Sequence, residues 1–177
     1  MQQKKYIARS MVKKELKFTP KKEIGAKIAK PRNAASLVLL KTSPNEVKVL
    51  LGKRSNKTRF MPGAWVFPGG VLDKNDFSIS ETTKLNNNII KKLVVSNNVK
   101  TANALAIASI RETVEETGLI LGKKAKNVSH INNEDINNGI TIMSNKGLVP
   151  DLAKLVYLGR AITPTFSPIR FHARFFM

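Results

Sequence analysis

Residues 104–117 form the clearest helical stretch of the chain, and this element restricts the fold more than any other. Apolar residues recur at helical spacing at Ile107, Ile110 and Val114, which predicts a stripe that packs against a core. Gly118 follows in the position where glycine commonly ends a helix. We therefore expect a helix that is anchored by one side and free to present different residues on the other.

The other side of this helix is acidic. An α-helix advances about 100° per residue, so Glu115 and Glu116 fall on either side of Glu112, and the three carboxylates share one face. Like charges at this spacing repel one another, and partial burial makes the repulsion worse. A hard divalent cation with oxygen ligands would offset it, and Mg²⁺ suits such carboxylates. Arg111 lies one turn before Glu115 and can brace its side chain.

An exposed acidic patch is the alternative explanation of these glutamates. The chain has only twelve acidic residues and a net charge of +19, and three of the twelve lie within five residues of one another. Such a concentration of acid in a basic chain favours a metal site over a solvated surface.

The positive charge also bears on the partners of the chain. A basic chain can bind nucleic acid, but most of the excess here is lysine spread along the sequence, without interleaved aromatic residues. A solvated basic surface or an anionic small molecule fits this pattern better. The absence of cysteine excludes disulfides, thiolate metal sites and a cysteine nucleophile. No stretch resembles a membrane-spanning helix or a secretory signal, so a cytoplasmic protein is predicted.

The rest of the chain divides into a leader and one domain. Residues 1–31 are basic, poorly periodic and interrupted by proline, which predicts a partly disordered N-terminal leader. A turn at 43–45 should join the first two predicted strands into a hairpin, and 127–147 should form a polar loop broken by the apolar residues 140–143. The predicted strands are 35–40, 46–51, 65–67, 155–162 and 170–176. Strands on both sides of one strong helix predict an α+β fold or an α/β/α sandwich for residues 32–177.

A glycine-rich turn precedes the helix at Phe67-Pro68-Gly69-Gly70. Glycine lets backbone carbonyls and amides come close to an ion or a phosphate, although a plain strand-ending turn is the alternative. Residues 77–103, rich in Ser, Thr and Asn, are predicted to be an insertion between this turn and the helix, with a short helix near 88–94.

Together these residues resemble the signature box of the Nudix hydrolases. The box consists of a glycine, a spaced acid, an Arg-Glu, a Glu-Glu pair and a terminal glycine, here Gly70, Asp76, Arg111, Glu112, Glu115, Glu116 and Gly118. Asp76 replaces the usual glutamate, and Thr113 replaces an aliphatic residue. Residues 77–103 lie between the acid and the helix, as in a Nudix subgroup with a long insertion in the box. The resemblance implies a Nudix-type α/β/α sandwich with a mixed sheet.

The resemblance also implies roles for the residues of the box. The implied catalytic residues are Arg111, Glu112, Glu115 and Glu116. The implied metal ligands are Glu112, Glu115, Glu116 and the Gly70 carbonyl, with Mg²⁺ as the cofactor and Mn²⁺ as its substitute.

A second stretch is similar to the signature of coenzyme A diphosphatases within that family. It comprises 50–55, Arg59, Gly63 and 67–70, with Gly52 where a threonine is typical. The similarity implies substrate binding by Arg54, Arg59, Gly69 and Gly70, since arginine can hold phosphate oxygens bidentately. The alternative is that both arginines face solvent or pair with structural acids. Residues 163–164 and 169–176 also look like that subgroup, with Arg170 or Arg174 either facing the substrate or serving the strand.

The predicted function is therefore Mg²⁺-dependent hydrolysis of a diphosphate linkage in a nucleoside diphosphate derivative, coenzyme A or acyl-coenzyme A. One alternative is a Nudix hydrolase of ADP-ribose, dinucleotides or oxidised nucleoside triphosphates; another is a non-catalytic basic module that binds a nucleotide or RNA. A nucleotide is the expected partner, a homodimer is left open, and neither membrane nor nucleic acid is predicted. Because the family fold continues into another strand and a closing helix, we expect a C-terminally truncated or unusually short version of it.

Overall fold

The computed structural model describes residues 28–79, 83–93, 98–125 and 138–177. Nearly all of the predicted leader and most of the predicted polar loop lie outside these residues. The described strands are β1 (Arg32–Leu37), β2 (Leu40–Ser43), β3 (Glu46–Val49), β4 (Gly52–Lys53), β5 (Trp65–Val66), β6 (Gly69–Val71), β7 (Gly122–Lys124), β8 (Leu148–Pro150), β9 (Tyr157–Ile162) and β10 (Phe171–Phe176). The α-helices are α1 (Lys74–Ser78), α2 (Asn87–Lys92), α3 (Val99–Thr117) and α4 (Gly139–Ser144), with a short 3-10 helix at Leu152–Lys154.

Four strands form a central mixed sheet in the order β6-β1-β10-β9. Strand β1 runs parallel to β10, from Arg32 opposite Phe171 to Leu37 opposite Phe176. The outer strands β6 and β9 are antiparallel to their neighbours. The sheet brings the glycine-rich turn, as part of β6, beside the first strand of the domain.

The predicted hairpin forms, but with a different first strand. The apolar run 35–40 is divided, because Ala35 and Leu37 are fully buried in the central sheet while Leu40 begins β2. Strand β2 then pairs with β3, from Leu40 opposite Val49 to Ser43 opposite Glu46. The first half of the run is buried in the core as part of β1. The second half belongs to β2, and the turn after Ser43 sets its register against β3.

Helix α3 packs across β1 and β6. It begins at Val99, five residues before the predicted start, because the Asn98 side chain caps it by accepting from the Thr101 N–H at 3.0 Å. The predicted stripe of Ile107, Ile110 and Val114 is buried, which confirms the periodicity. Burial extends around nearly the whole helix from Ala102 to Arg111, since α1 and α4 pack against it as well as the sheet.

Two polar segments contribute more to the core than their composition predicts. In the segment 77–103, Leu85 and Leu93 are buried, so the described part of this segment packs into the domain; its status as an insertion stays a prediction. Residues 139–144 form α4, whereas the sequence predicted a loop, because Asn138 caps a helix too short to show a period. None of the described helices is long and apolar enough to cross a membrane.

Candidate active site

Arg111 is the residue around which the candidate site is assembled. Its Nε donates to Asp76 Oδ1 at 2.9 Å, and its Nη2 donates to Asp76 Oδ2 at 3.2 Å and to the Val71 carbonyl at 3.0 Å. Its Nη1 donates to Glu112 Oε1 at 2.9 Å and to Glu115 Oε2 at 3.1 Å. A guanidinium has five N–H groups, so every one of them has an acceptor within the protein. Arg111 therefore positions carboxylates and has no free donor for a ligand.

Asp76 anchors the far end of Arg111. Its carboxylate is fully buried and also accepts from the Asp73 backbone N–H at 2.7 Å, which closes a capping box at the start of α1. Burial raises the pKa of Asp76, and Arg111 opposes that rise. Burial alone would lower the pKa of Arg111, but Asp76, Glu112 and Glu115 together raise it above its ordinary value. The sequence placed Asp76 in the signature without predicting this anchoring contact.

Glu112 lies directly over Gly70. A Cβ atom at Gly70 would overlap the Glu112 carboxylate, so only glycine leaves room for the side chain here. Burial raises the pKa of Glu112, Arg111 opposes the rise, and the charges of Glu115 and Glu116 add to it. Gly70 thus lies against the acidic helix face, while its carbonyl as a metal ligand stays a prediction.

Glu116 faces the same strand one residue earlier. Its Oε2 accepts from the Gly69 N–H at 3.1 Å. Burial raises the pKa of Glu116, and both this hydrogen bond and the charge of Arg54 oppose the rise. A Cβ atom at Gly69 would overlap the backbone of β1, so both glycines of the turn are required by close approach.

Glu115 points to the opposite flank of the helix, toward α4. Its Oε1 accepts from the Gly139 N–H at 2.8 Å, and Gly139 is the first residue of α4 after the capping residue Asn138. A Cβ atom at Gly139 would overlap the Arg111 carbonyl. Sequence reasoning missed this contact because α4 was not predicted, and the only available signal was the Asn-Gly pair before a short apolar run.

The two predicted substrate-binding arginines differ in their surroundings. Arg54 donates from Nε to the Phe60 carbonyl at 3.0 Å, and its charge acts on Glu116. Arg59 is exposed, and within the described residues it has no hydrogen bond or ion pair. The structure therefore brings Arg54 to the carboxylates, while a contact of Arg59 with substrate stays a prediction.

The three glutamates match a hard divalent cation in ligand type. They offer only carboxylate oxygens, which Mg²⁺ and Mn²⁺ prefer, and their mutual repulsion contributes to the raised pKa values of Glu112 and Glu116. Within the part of the chain that is described, no three acidic or histidine side chains converge closely enough to enclose an ion. The arrangement is held by Arg111 and by backbone N–H groups.

Known proteins resemble this chain in sequence and in fold. The family described as NUDT19 Nudix domain matches residues 24–100. A crystal structure of a Nudix hydrolase from Alicyclobacillus acidocaldarius is 28% identical with a TM-score of 0.64, over 83% of this chain and 68% of that one. The chain is similar to Nudix domains in sequence over residues 24–100 and in fold over most of its length. The predicted α+β sandwich with a mixed sheet is confirmed as the Nudix fold.

Two curated relatives are similar to this chain in sequence. A protein of Caenorhabditis elegans named putative nudix hydrolase 7 is 28% identical over 160 residues, which are 87% of this chain and 46% of the relative. The acyl-coenzyme A diphosphatase NUDT19 of Xenopus laevis is 34% identical over 98 residues, 44% of this chain and 26% of the relative. The chain thus spans less than half the length of either relative.

Proposed function

We propose that this Nudix domain hydrolyses the diphosphate linkage of a nucleoside diphosphate derivative in a Mg²⁺-dependent reaction, with coenzyme A or acyl-coenzyme A as the substrate. The observation that carries the proposal is the set of three glutamates that Arg111 and two glycine N–H groups hold beside the Gly69–Gly70 strand. The similarity to a relative named acyl-coenzyme A diphosphatase supports the substrate class.

Glu112, Glu115 and Glu116 would hold the cation, with the Gly70 carbonyl as a further ligand. When bound, Mg²⁺ supplies charge neutralisation for the diphosphate oxygens and favours the ionised form of water. Glu115 and Glu116 each accept one backbone N–H from a different element, so both sides of the site are fixed to the fold.

Arg54 would bind the diphosphate. Among the described contacts only its Nε has a protein acceptor, which leaves two terminal nitrogens for phosphate oxygens in the bidentate geometry that arginine favours. Glu112 would also act as the general base: one carboxylate oxygen would bind the cation, and the other would accept the proton of the attacking water. The new bond joins the water oxygen to one phosphorus, and the bridging P–O bond breaks. Coenzyme A would yield adenosine 3',5'-bisphosphate and 4'-phosphopantetheine.

A substrate panel tests this function. The protein is incubated with Mg²⁺ and, separately, with coenzyme A, an acyl-coenzyme A, ADP-ribose, NADH and nucleoside triphosphates, and products are separated by chromatography. We expect cleavage of the coenzyme A compounds, at the highest kcat/KM of the panel, and none after chelation of the metal by EDTA. Faster cleavage of ADP-ribose, NADH or a triphosphate would move the assignment to another nucleotide. No cleavage, together with salt-dependent RNA binding, would instead favour a binding module.

A further inference from the structure

The β9–β10 side of the central sheet contains a buried arginine without an acidic partner. Arg174 on β10 is 3% exposed, and its Nη1 donates to Asn33 Oδ1 and to the His172 carbonyl, each at 2.7 Å. Its Nε is buried and has no hydrogen-bond partner. None of the salt bridges between described residues includes Arg174. Because burying an unpaired charge is costly, a guanidinium in this position normally has a carboxylate or another anion beside it.

Two further basic side chains lie beside Arg174. The register of β9 and β10 pairs Arg160 with Arg174 and places His172 two residues along the same face. Arg160 Nη1 is 3.3 Å from His172 Nε2. Burial lowers the pKa of Arg174, and burial followed by the charges of Arg174 and Arg160 lowers the pKa of His172. This group therefore holds more positive charge than its surroundings compensate.

The outer part of this group, Arg160 and His172, reaches solvent, and Arg174 lies behind it, two strands away from β6. Arg160 is exposed, and Asn33 also lines an open cleft of about 400 Å³ together with Lys30 and Arg32. The register places Gly70, Ala35 and Arg174 in one row across β6, β1 and β10. Neighbouring strands lie roughly 4.8 Å apart, so Arg174 is about 10 Å across the sheet from Gly70. The glutamates of α3 are already held by other partners and do not compensate Arg174.

We propose that Arg160, His172 and Arg174 form an anion-binding site that takes a phosphoryl group. On Arg174, Nη2 has no acceptor among the described contacts and is not buried as Nε is, so it donates to one phosphoryl oxygen, and the Arg160 guanidinium donates to the others. Two guanidinium groups match the charge and the three acceptor oxygens of a phosphate better than they match a carboxylate, which has two oxygens and a single charge. The group bound is either a phosphate of the same nucleotide ligand or free phosphate.

Inorganic phosphate is the probe for this site. It is titrated into the 177-residue protein while the arginine Nε–H signals are followed in ¹H–¹⁵N spectra, in the presence of EDTA so that no hydrolysis occurs. We expect the Arg174 signal to shift and saturate. Arg160→Gln should weaken binding about tenfold or more, because one charge-assisted donor group is lost from an exposed position that does not support the fold. Lys124→Gln, which removes one charge from the exposed strand β7, is the matched control and should leave the affinity unchanged.

Coenzyme A, titrated in the same way, distinguishes the two sources of the phosphoryl group. A shift of the Arg174 signal by coenzyme A at lower concentration than by inorganic phosphate assigns the site to a phosphate of the nucleotide; a shift by inorganic phosphate alone assigns it to free phosphate. An unmoved Arg174 signal with both ligands would overturn the proposal. Two further results would also overturn it. If Lys124→Gln weakens phosphate binding as much as Arg160→Gln does, the binding reflects net charge alone. If acetate binds as tightly as phosphate, the site binds carboxylates.

Discussion

Replacing Arg111 with methionine should destabilise the domain more than replacing its partner Asp76 with asparagine. Arg111→Met leaves the fully buried Asp76 carboxylate with the N–H of Asp73 but no positive charge. Removing one partner of a buried ion pair costs about 3–5 kcal/mol. Asp76→Asn leaves Arg111 with the carboxylates of Glu112 and Glu115, so its cost should be about 1–3 kcal/mol.

Urea and thermal denaturation measure the difference. For a domain of this size each kcal/mol corresponds to about 2–4 °C in Tm, so Arg111→Met should lower Tm by about 6–20 °C. The loss should also depend on pH. Burial already raises the folded-state pKa of Asp76 above its ordinary value of 3.8, and Arg111→Met removes the charge that opposes this rise. At a pH between 3.8 and the folded-state pKa of Asp76, the folded state binds more protons than the unfolded state. The stability of the variant therefore rises as the pH falls through the folded-state pKa.

The double variant Asp76→Asn/Arg111→Met gives the decisive control. It leaves neither charge buried, so it should recover part of the stability that Arg111→Met loses, and the two substitutions should be strongly non-additive. Additive losses would refute the reasoning. A stability gap between Arg111→Met and the unmodified protein that stays constant as the pH falls from neutral to the ordinary Asp76 pKa of 3.8 would also refute it.

Three further predictions concern the residues around Arg111. Gly70→Ala should lower kcat, because the added Cβ displaces the Glu112 carboxylate. Gly52→Ala is the control and should leave kcat unchanged, because a Cβ there meets nothing within 4 Å. Equal kcat values for the two variants would contradict the contact between Gly70 and Glu112. Gly139→Ala should cost about 1–3 kcal/mol in urea denaturation, because its Cβ overlaps the Arg111 carbonyl, and an unchanged midpoint would show that α4 can move away without cost. In the metal-free protein the side-chain carboxyl ¹³C signals of Glu112 and Glu116 should titrate above 4.5, the ordinary glutamate pKa, because burial raises both pKa values; midpoints at or below 4.5 would contradict this effect of burial.

The parts of the fold that local sequence determines could be predicted. The helical period of α3 required only the spacing of Ile107, Ile110 and Val114, and Gly118 marked its end with the left-handed φ of 73° that glycine favours. The strand at 155–162 and the strand at 170–176 also followed from apolar runs. These features depend on contacts between residues that are close in sequence or on burial of one face.

The features that could not be predicted depend on residues far apart in sequence. The parallel pairing of β1 with β10 joins Leu37 to Phe176, and no pattern within either strand specifies that partner. The contact of Gly139 with Glu115 depends on α4, whose six residues are too few to show a helical period. The buried and unpaired Arg174 is apparent only when its neighbours across the sheet are known, since a strand arginine is ordinarily exposed.

The measurement that tests the central claim most directly is the Mg²⁺-dependent cleavage of coenzyme A by the Glu115→Gln and Glu116→Gln variants. In Glu116→Gln the amide oxygen can still accept from the Gly69 N–H, and removing one of three repelling charges should leave Tm unchanged or higher. We expect kcat to fall by at least about a hundredfold in each variant, because a carboxylate that holds the cation is lost while the fold remains. Folded variants that cleave coenzyme A at the rate of the unmodified protein would contradict the assignment of the α3 glutamates as the catalytic site.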